Sequence, residues 1–393
     1  MYAKRVLAFI FICAFIVSCK KKDSNDPGGT TPPPPDCVDQ HGLRNGHTID
    51  EQYIIAYRSS SLDAHTATLQ RISEISRGIL QRNKISSSSI EAVFQGGPGG
   101  FVAHLSADEA QRLKKDAAIE TIEPDRIVAL SIACFTVAEP RLVTWNVKRT
   151  GFGDGTGKTA WIIDTGIDFD HPDLTVDTVR SKSFITDITS ANDDNGHGTH
   201  IAGIIGAKNN SIGTMGVAAG ATLVPLKVLD KDGNGKLSAI IEALGYVNEN
   251  GHAGDVVNLS VGEGTVSDIL DQQVESTAAL GIYVTIAAGN DSMPAINFSP
   301  GRANGKNIFT VSAIDSVDNF ASFSNYGNDV IDYAAPGVHV LSTYLDGKYA
   351  YMSGTSMSSP HVAGLLLLKG NNIVTSGFAK NDPDSIADPI AHY

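Results

Sequence analysis

The chain has 393 residues, 42% of them hydrophobic and 39 of them glycine, enough for a large core, a second small domain and many tight turns. With 30 Lys and Arg against 43 Asp and Glu, the formal charge is −13. No basic patch interrupts this acidity, which argues against nucleic acid as a partner and indicates a soluble surface.

The first residues read as an address. Lys4 and Arg5 precede an apolar run from Val6 to Val17, too short to span a membrane comfortably and suited to an export signal over residues 1–18. Ile16-Val17-Ser18-Cys19 resembles the lipobox of bacterial lipoproteins. That resemblance implies a lipid on Cys19 and residence at the bacterial cell envelope or surface. Ordinary cleavage after small residues is the other reading. Lys20-Lys21-Lys22 and Pro32-Pro33-Pro34-Pro35 make residues 19–47 a solvated, partly polyproline tether. Cys13 would leave with the signal, so Cys37 and Cys134 remain in an oxidising compartment, either paired or as two free thiols.

Residues 48–132 alternate short elements. Strands are expected over 53–57, 90–94, 101–105 and 119–125, and helices over 69–80 and from Ser106, where Ser106 and Glu109 form a capping box. The order β-α-β-β-α-β describes a small ferredoxin-like α+β domain. Residues 133–393 follow as a separate domain. From Trp145 onward, the near-continuous apolar runs 161–163, 223–229, 256–261, 282–287 and 308–313 alternate with helices, which implies a mostly parallel sheet covered on both faces. Past Lys369 the chain reads as a polar tail through Lys380-Asn381-Asp382-Pro383-Asp384.

Three stretches carry chemistry. Asp164 ends the run Ala160-Trp161-Ile162-Ile163, the edge where open α/β sheets place their sites. His197, in Asn195-Gly196-His197-Gly198-Thr199-His200, opens a small-residue helix. Ser356, in Gly354-Thr355-Ser356-Met357-Ser358-Ser359-Pro360-His361, precedes the buried helical run from Val362, with Pro360 expected in the first turn. A lone serine there is normally a helix cap. Together with an imidazole and a carboxylate it becomes a nucleophile with its base and orienter.

In the order Asp, His, Ser these motifs resemble the subtilisin-type serine proteases, or subtilases, closest to the proteinase K branch. The likeness runs from about Trp145 to about Leu368. It implies a subtilisin-like fold and an endopeptidase that needs no cofactor for catalysis. Asp164, His197 and Ser356 would form the triad and Asn290 the oxyanion donor. Asn258-Leu259-Ser260-Val261-Gly262, with Ala288-Gly289, would wall the substrate groove and pair with bound peptide as an edge strand. Residues 48–132 resemble the family's inhibitory propeptide, so this domain would be the enzyme's own first partner and self-cleavage would fall within 130–134. Peptide substrates with an apolar or aromatic residue before the cut are expected, since Glu263 reads as an exposed rim charge. Pro300 and Asp315 resemble a structural calcium site of that branch. Asp168, His200 and His361 read as supporting groups.

Other motifs fail on their own terms. Gly153 to Thr159 imitates a phosphate loop, but Phe152 stands where its first glycine belongs and a strand follows. Asp230-Lys231-Asp232-Gly233-Asn234-Gly235 starts like an EF-hand, yet its twelfth position is Ile241, so a surface turn is expected. The His197 stretch lacks the glutamate and spacing of a zinc protease helix, and Ser358 replaces the glycine a lipase elbow requires. The rival reading is a lipoprotein that keeps its propeptide docked and serves as a binding module.

Overall fold

The computed structural model of the chain describes residues 45–58, 68–130, 142–262, 264–384 and 386–393, with the backbone of 136–137. The export signal, Cys19, most of the tether, Cys37, Cys134 and Glu263 lie outside the described residues. Among the described residues no helix is long and apolar enough to cross a membrane.

The N-terminal unit consists of β1 (Thr48–Tyr57), α1 (Leu69–Arg82), β2 (Ile90–Phe94), β3 (Gly100–His104), α2 (Ala107–Leu113) and β4 (Ile119–Ala129). Local chemistry starts both helices. The Thr68 side chain accepts from Arg71 N ahead of α1, and the Ser106–Glu109 capping box is formed at α2. The period-2 alternation of β1 explains why both its faces are apolar. Ile55 and Tyr57 pack under α1 and α2 with Ile79, Leu80 and Phe101. Ile54 and Ala56 face the other way and join Leu237, Ile240 and Leu244 of the large unit in one core.

The large unit is built on a ten-stranded sheet. From one edge its strands run Val374–Phe378, Pro389–His392, Ile331–Pro336, Ile308–Ile314, Tyr283–Ala287, Val256–Leu259, Thr159–Asp164, Thr222–Lys227 and Thr175–Val176. Lys182–Ser183 also pairs with the Thr222–Lys227 strand. The pairs are parallel except for Val374–Phe378 with Pro389–His392. Such strands are buried on both faces, which is why they appear as unbroken apolar runs rather than alternating ones.

Two expectations are corrected here. The residues past Lys369 are not merely a polar tail. They return as a strand pair whose inner member aligns Ile390 with Ala334 and buries Ile390 and Ala391. The polar stretch between is a loop stapled by Lys380 N to the Asp318 carbonyl and Phe320 N to the Lys380 carbonyl. The Asp230 segment is more than a surface turn. Asp230 Oδ1 accepts from Asp232 N at 2.9 Å and Asn234 N at 3.0 Å, which closes the bend and presents Asn234–Lys236 as a strand. That strand pairs antiparallel with β4 and becomes the fifth strand of the N-terminal sheet.

Candidate active site

Asp164 is buried at the C-terminal end of its strand, where Oδ1 accepts from Thr165 N at 2.7 Å and lies 2.8 Å from His197 Nδ1. A carboxylate only accepts, so Nδ1 carries the proton and Nε2 presents its lone pair. His197 opens the helix His197–Gly206. That helix end is assembled by Asp193, whose Oδ1 accepts from Asn195 N and Gly196 N and whose Oδ2 accepts from Thr199 N and Oγ1. Gly196 has φ 109°, and a side chain there would collide with the Tyr344 ring. Gly198 lets the helix press against the Asp164 strand, because a Cβ would meet the Gly166 carbonyl.

Ser356 stands at the start of the helix Thr355–Lys369. The helix therefore begins before the apolar run, and Pro360 lies inside it rather than in its first turn. An amide at 360 would bond the Ser356 carbonyl four residues back, and proline has none. Ser260 Oγ donates to that carbonyl instead, at 2.9 Å. In return the Ser356 hydroxyl donates to the Ser260 carbonyl at 3.0 Å. Among the described residues no hydrogen bond joins Ser356 to His197 in this conformation.

Asn290 is oriented by its neighbour across the site. Its Oδ1 accepts from Thr355 N at 2.8 Å and Thr355 Oγ1 at 2.9 Å, which turns the amide N–H edge away from Thr355. The loop carrying Asn290 is clamped by the buried Asn325, which donates to the Ala288 carbonyl and accepts from Asp291 N and Met293 N. Sequence reasoning missed Asn325 and Asp193. Each resembles an ordinary turn residue and acts only through partners brought in by the fold.

The groove beside Ser356 is lined by Ser260, Val261 and Gly262 on one wall and Ala288, Gly289 and Asn290 on the other, with Phe298 and Pro300. Asn258 and Leu259 lie beneath it, fully buried. Asn258 accepts from Ser359 Oγ at 2.8 Å and Thr285 Oγ1 at 3.1 Å and donates to Ser260 Oγ at 2.8 Å, so it supports the wall from behind.

β4 ends at Ala129, and Ala129 and Leu130 line this groove. On one side β4 pairs with β1 and on the other with Asn234–Lys236, continued by Leu130 N to the Gly233 carbonyl at 3.1 Å. Among the described residues β4 forms no ladder with Ser260–Gly262. Asn45 stands between, accepting from Ala129 N at 3.1 Å and donating to the Gly262 carbonyl at 3.4 Å. Gly46 N and the His47 carbonyl meanwhile pair with Ile127.

Two carboxylates of β4 sit at helix starts of the large unit. Asp125 accepts from Ser238 N at 3.1 Å and Ser238 Oγ at 2.5 Å at the first turn of Leu237–Asn250, a helix with no side-chain cap of its own. Glu123 accepts from Ser267 Oγ, the N-cap of Asp268–Ala279. Burial pushes the Glu123 carboxyl up to about 7 against the pull of Ser267, with Asp268 adding to the rise. Burial raises Asp125 as well.

The remaining candidates are placed elsewhere. His200 Nε2 lies 3.1 Å from the carbonyls of Val340 and Ala350, and burial holds its pKa down at about 3. His361 Nδ1 donates to the Met357 carbonyl at 2.8 Å, and burial brings it to about 4. Asp168 accepts from Asp346 N and Asp170 N on the surface. Asp315 closes its own loop, accepting from Val317 N, Asn319 N and Asn319 Nδ2, while the Pro300 carbonyl accepts from Ala303 N. Calcium takes six to eight oxygens, and this pair offers few that are uncommitted. Among the described residues no group of three or more His, Cys, Asp or Glu is arranged to hold a metal.

Comparisons with known proteins agree with this geometry. The subtilase family profile matches residues 155–375, and the peptidase inhibitor I9 profile matches residues 45–131. Alkaline serine exoprotease A of Vibrio alginolyticus is 35% identical over 348 residues, which is 83% of this chain and 62% of that protein. The extracellular serine proteinase of a Thermus strain is 32% identical over 375 residues, 90% of this chain and 87% of that one. The crystal structure of a cold-adapted subtilisin-like serine proteinase superposes with a TM-score of 0.57 at 30% identity, covering 64% of this chain and 98% of that one. The chain spans less than two thirds of the length of the Vibrio relative. The profile that covers more than half of the chain decides the matter: the chain belongs to the subtilase family of serine proteases, with an I9 inhibitor domain ahead of the protease domain.

Proposed function

We propose that the chain is an exported, lipid-anchored serine endopeptidase made as a self-inhibited, self-cleaving precursor. In this reading Asp164, His197 and Ser356 are the triad, and Asn290 is the oxyanion donor together with Ser356 N. The observation that carries it is the 2.8 Å contact between Asp164 Oδ1 and His197 Nδ1, beside a groove that Ser356 lines and β4 enters.

The Ser356 hydroxyl first leaves the Ser260 carbonyl by a χ1 rotation of about 120°, from one staggered well to the next. His197 Nε2 then takes its proton as Oγ attacks the peptide carbonyl carbon. The carbonyl π pair moves onto oxygen, where Asn290 Nδ2 and Ser356 N stabilise it. As the tetrahedral species collapses, the C–N bond breaks and His197 returns the proton to the leaving amine. Water repeats the sequence on the acyl-enzyme and releases the acid. Asp164 holds the tautomer and supports the imidazolium without taking the proton.

The I9 match and the course of β4 support self-inhibition, with the cut after Leu130 and before residue 135. Export is supported by the N-terminal sequence and by the extracellular Thermus relative. Lipid on Cys19, broad specificity with an apolar or aromatic residue before the cut, and a Cys37–Cys134 link that keeps protease and tether joined complete the proposal. Intact masses of the exported chain and of Ser356→Ala, taken after reduction, test it. Splitting of the wild type alone supports it. If both stay whole, the docked binding module becomes the better reading, and splitting of both assigns activation to another protease. Chromogenic peptides with Lys or Arg outrunning Phe and Leu would overturn the specificity.

A further inference from the structure

Among the described residues Lys227 is the one fully buried lysine, and the catalytic steps above make no use of it. It lies on the strand beside Asp164 and in direct register with it. Its ammonium donates to the Thr165 carbonyl at 2.6 Å and to Asp194 Oδ1 at 2.7 Å. Both partners adjoin the catalytic pair. Thr165 N donates to the Asp164 carboxylate at 2.7 Å, and Thr165 Oγ1 accepts from Gly198 N on the His197 helix at 2.9 Å. Asp194 lies three residues before His197, in the turn that Asp193 organises.

We propose that Lys227 is a positioning residue for the Asp164–His197 pair. The inference rests on the triad assignment made above. Through Thr165 and Asp194 one ammonium joins the loop after Asp164 to the loop before His197, so the two loops cannot drift apart independently. The ammonium also brings a charge beside the pair. The titratable groups placed around the pair include Lys227, Asp194, Asp193, Tyr344 and the neutral His200. Of these, Lys227 is the cation, and a nearby cation disfavours imidazolium. Asp194 is about half exposed, with 48% of its side chain accessible, so it offsets that charge only partly.

The two partners carry opposite charges, so removing them one at a time is expected to act on the histidine in opposite directions. The full chain is expressed and allowed to mature as wild type, Lys227→Met, Asp194→Asn and His197→Ala, and kcat and KM are followed against pH on a chromogenic peptide. The acidic limb of kcat/KM reports the free-enzyme base. Lys227→Met is expected to lower kcat by about tenfold or more with KM within about twofold, and to move that limb upward by about half a pH unit or more. Asp194→Asn is expected to move it downward by less, and less still at high salt. If Lys227→Met fails to mature, the direction of the Asp194→Asn shift decides. Limbs that stay in place in the variants obtained, or move in the same direction, overturn the inference even if thermal stability falls. Activity remaining in His197→Ala would instead overturn the triad assignment on which it rests.

Discussion

Ser260 and Ser356 hold each other by reciprocal bonds, each hydroxyl donating to the other's backbone carbonyl, at 2.9 and 3.0 Å. The arrangement follows from Pro360, which deprives the Ser356 carbonyl of its helical donor. Ser260→Ala should therefore destabilise the fold by about 1–2 kcal/mol, the cost of a buried acceptor left without its donor. Pro360→Ala supplies an amide at that position, and in its background the loss at Ser260 should shrink. A double-mutant cycle on thermal unfolding measures the coupling. Additive effects would show that the two residues do not share this carbonyl.

Asn290 and Thr355 form the second linked pair. Asn290→Ala should lower kcat by about a hundred- to a thousandfold with little change in KM, as expected for a donor used only in the transition state. Thr355→Val keeps the backbone donor to Asn290 Oδ1 and removes the hydroxyl, so a loss of about tenfold is expected. Equal losses in KM and kcat for Asn290→Ala would assign it to ground-state binding.

The inhibited complex should loosen as pH rises. Burial lifts Glu123 from 4.5 to about 7, so docking takes up a proton. The stabilisation is complete below about 4.5, is lost as pH rises through about 7, and is flat above. Asp125 is shifted in the same direction. Activity released from purified processed complex at a series of pH values should rise across this window, and Glu123→Gln should flatten the rise. Tighter inhibition at pH 8 than at pH 5 would contradict it.

Asp315 provides a test of calcium. Its carboxylate closes the 315–319 loop, so Asp315→Ala should lower Tm by several degrees, equally in millimolar calcium and in chelator. A calcium-dependent gain in Tm that disappears in the variant would support calcium binding at Pro300 and Asp315.

The sheet was legible because strands buried on both faces leave long apolar runs, and the site residues because their motifs are short and local. What escaped reading is long-range. Asn234–Lys236 has little strand propensity and extends because β4, about a hundred residues earlier, lies beside it. Asn45 shows no pattern before the fold brings it to Gly262. Pro360 was misplaced because the apolar run starts at Val362, whereas small polar residues begin the helix at Thr355. The tail reads as merely polar because its buried surface, among the described residues, rests on Ala379, Asp388, Ile390 and Ala391, scattered among polar neighbours.

The cap that Asp125 provides has a kinetic meaning. The helix Leu237–Asn250 has no side chain of its own for its first turn, so the N–H groups bound there in the precursor pass to water once the inhibitor domain leaves. A mature protease that unfolds would then have to rebuild this helix without the contact that caps it in the precursor. Its durability would then be expected to rest on how slowly it opens. Dilution from denaturant should restore the native circular dichroism of the uncut Ser356→Ala precursor far more fully than that of the processed enzyme alone.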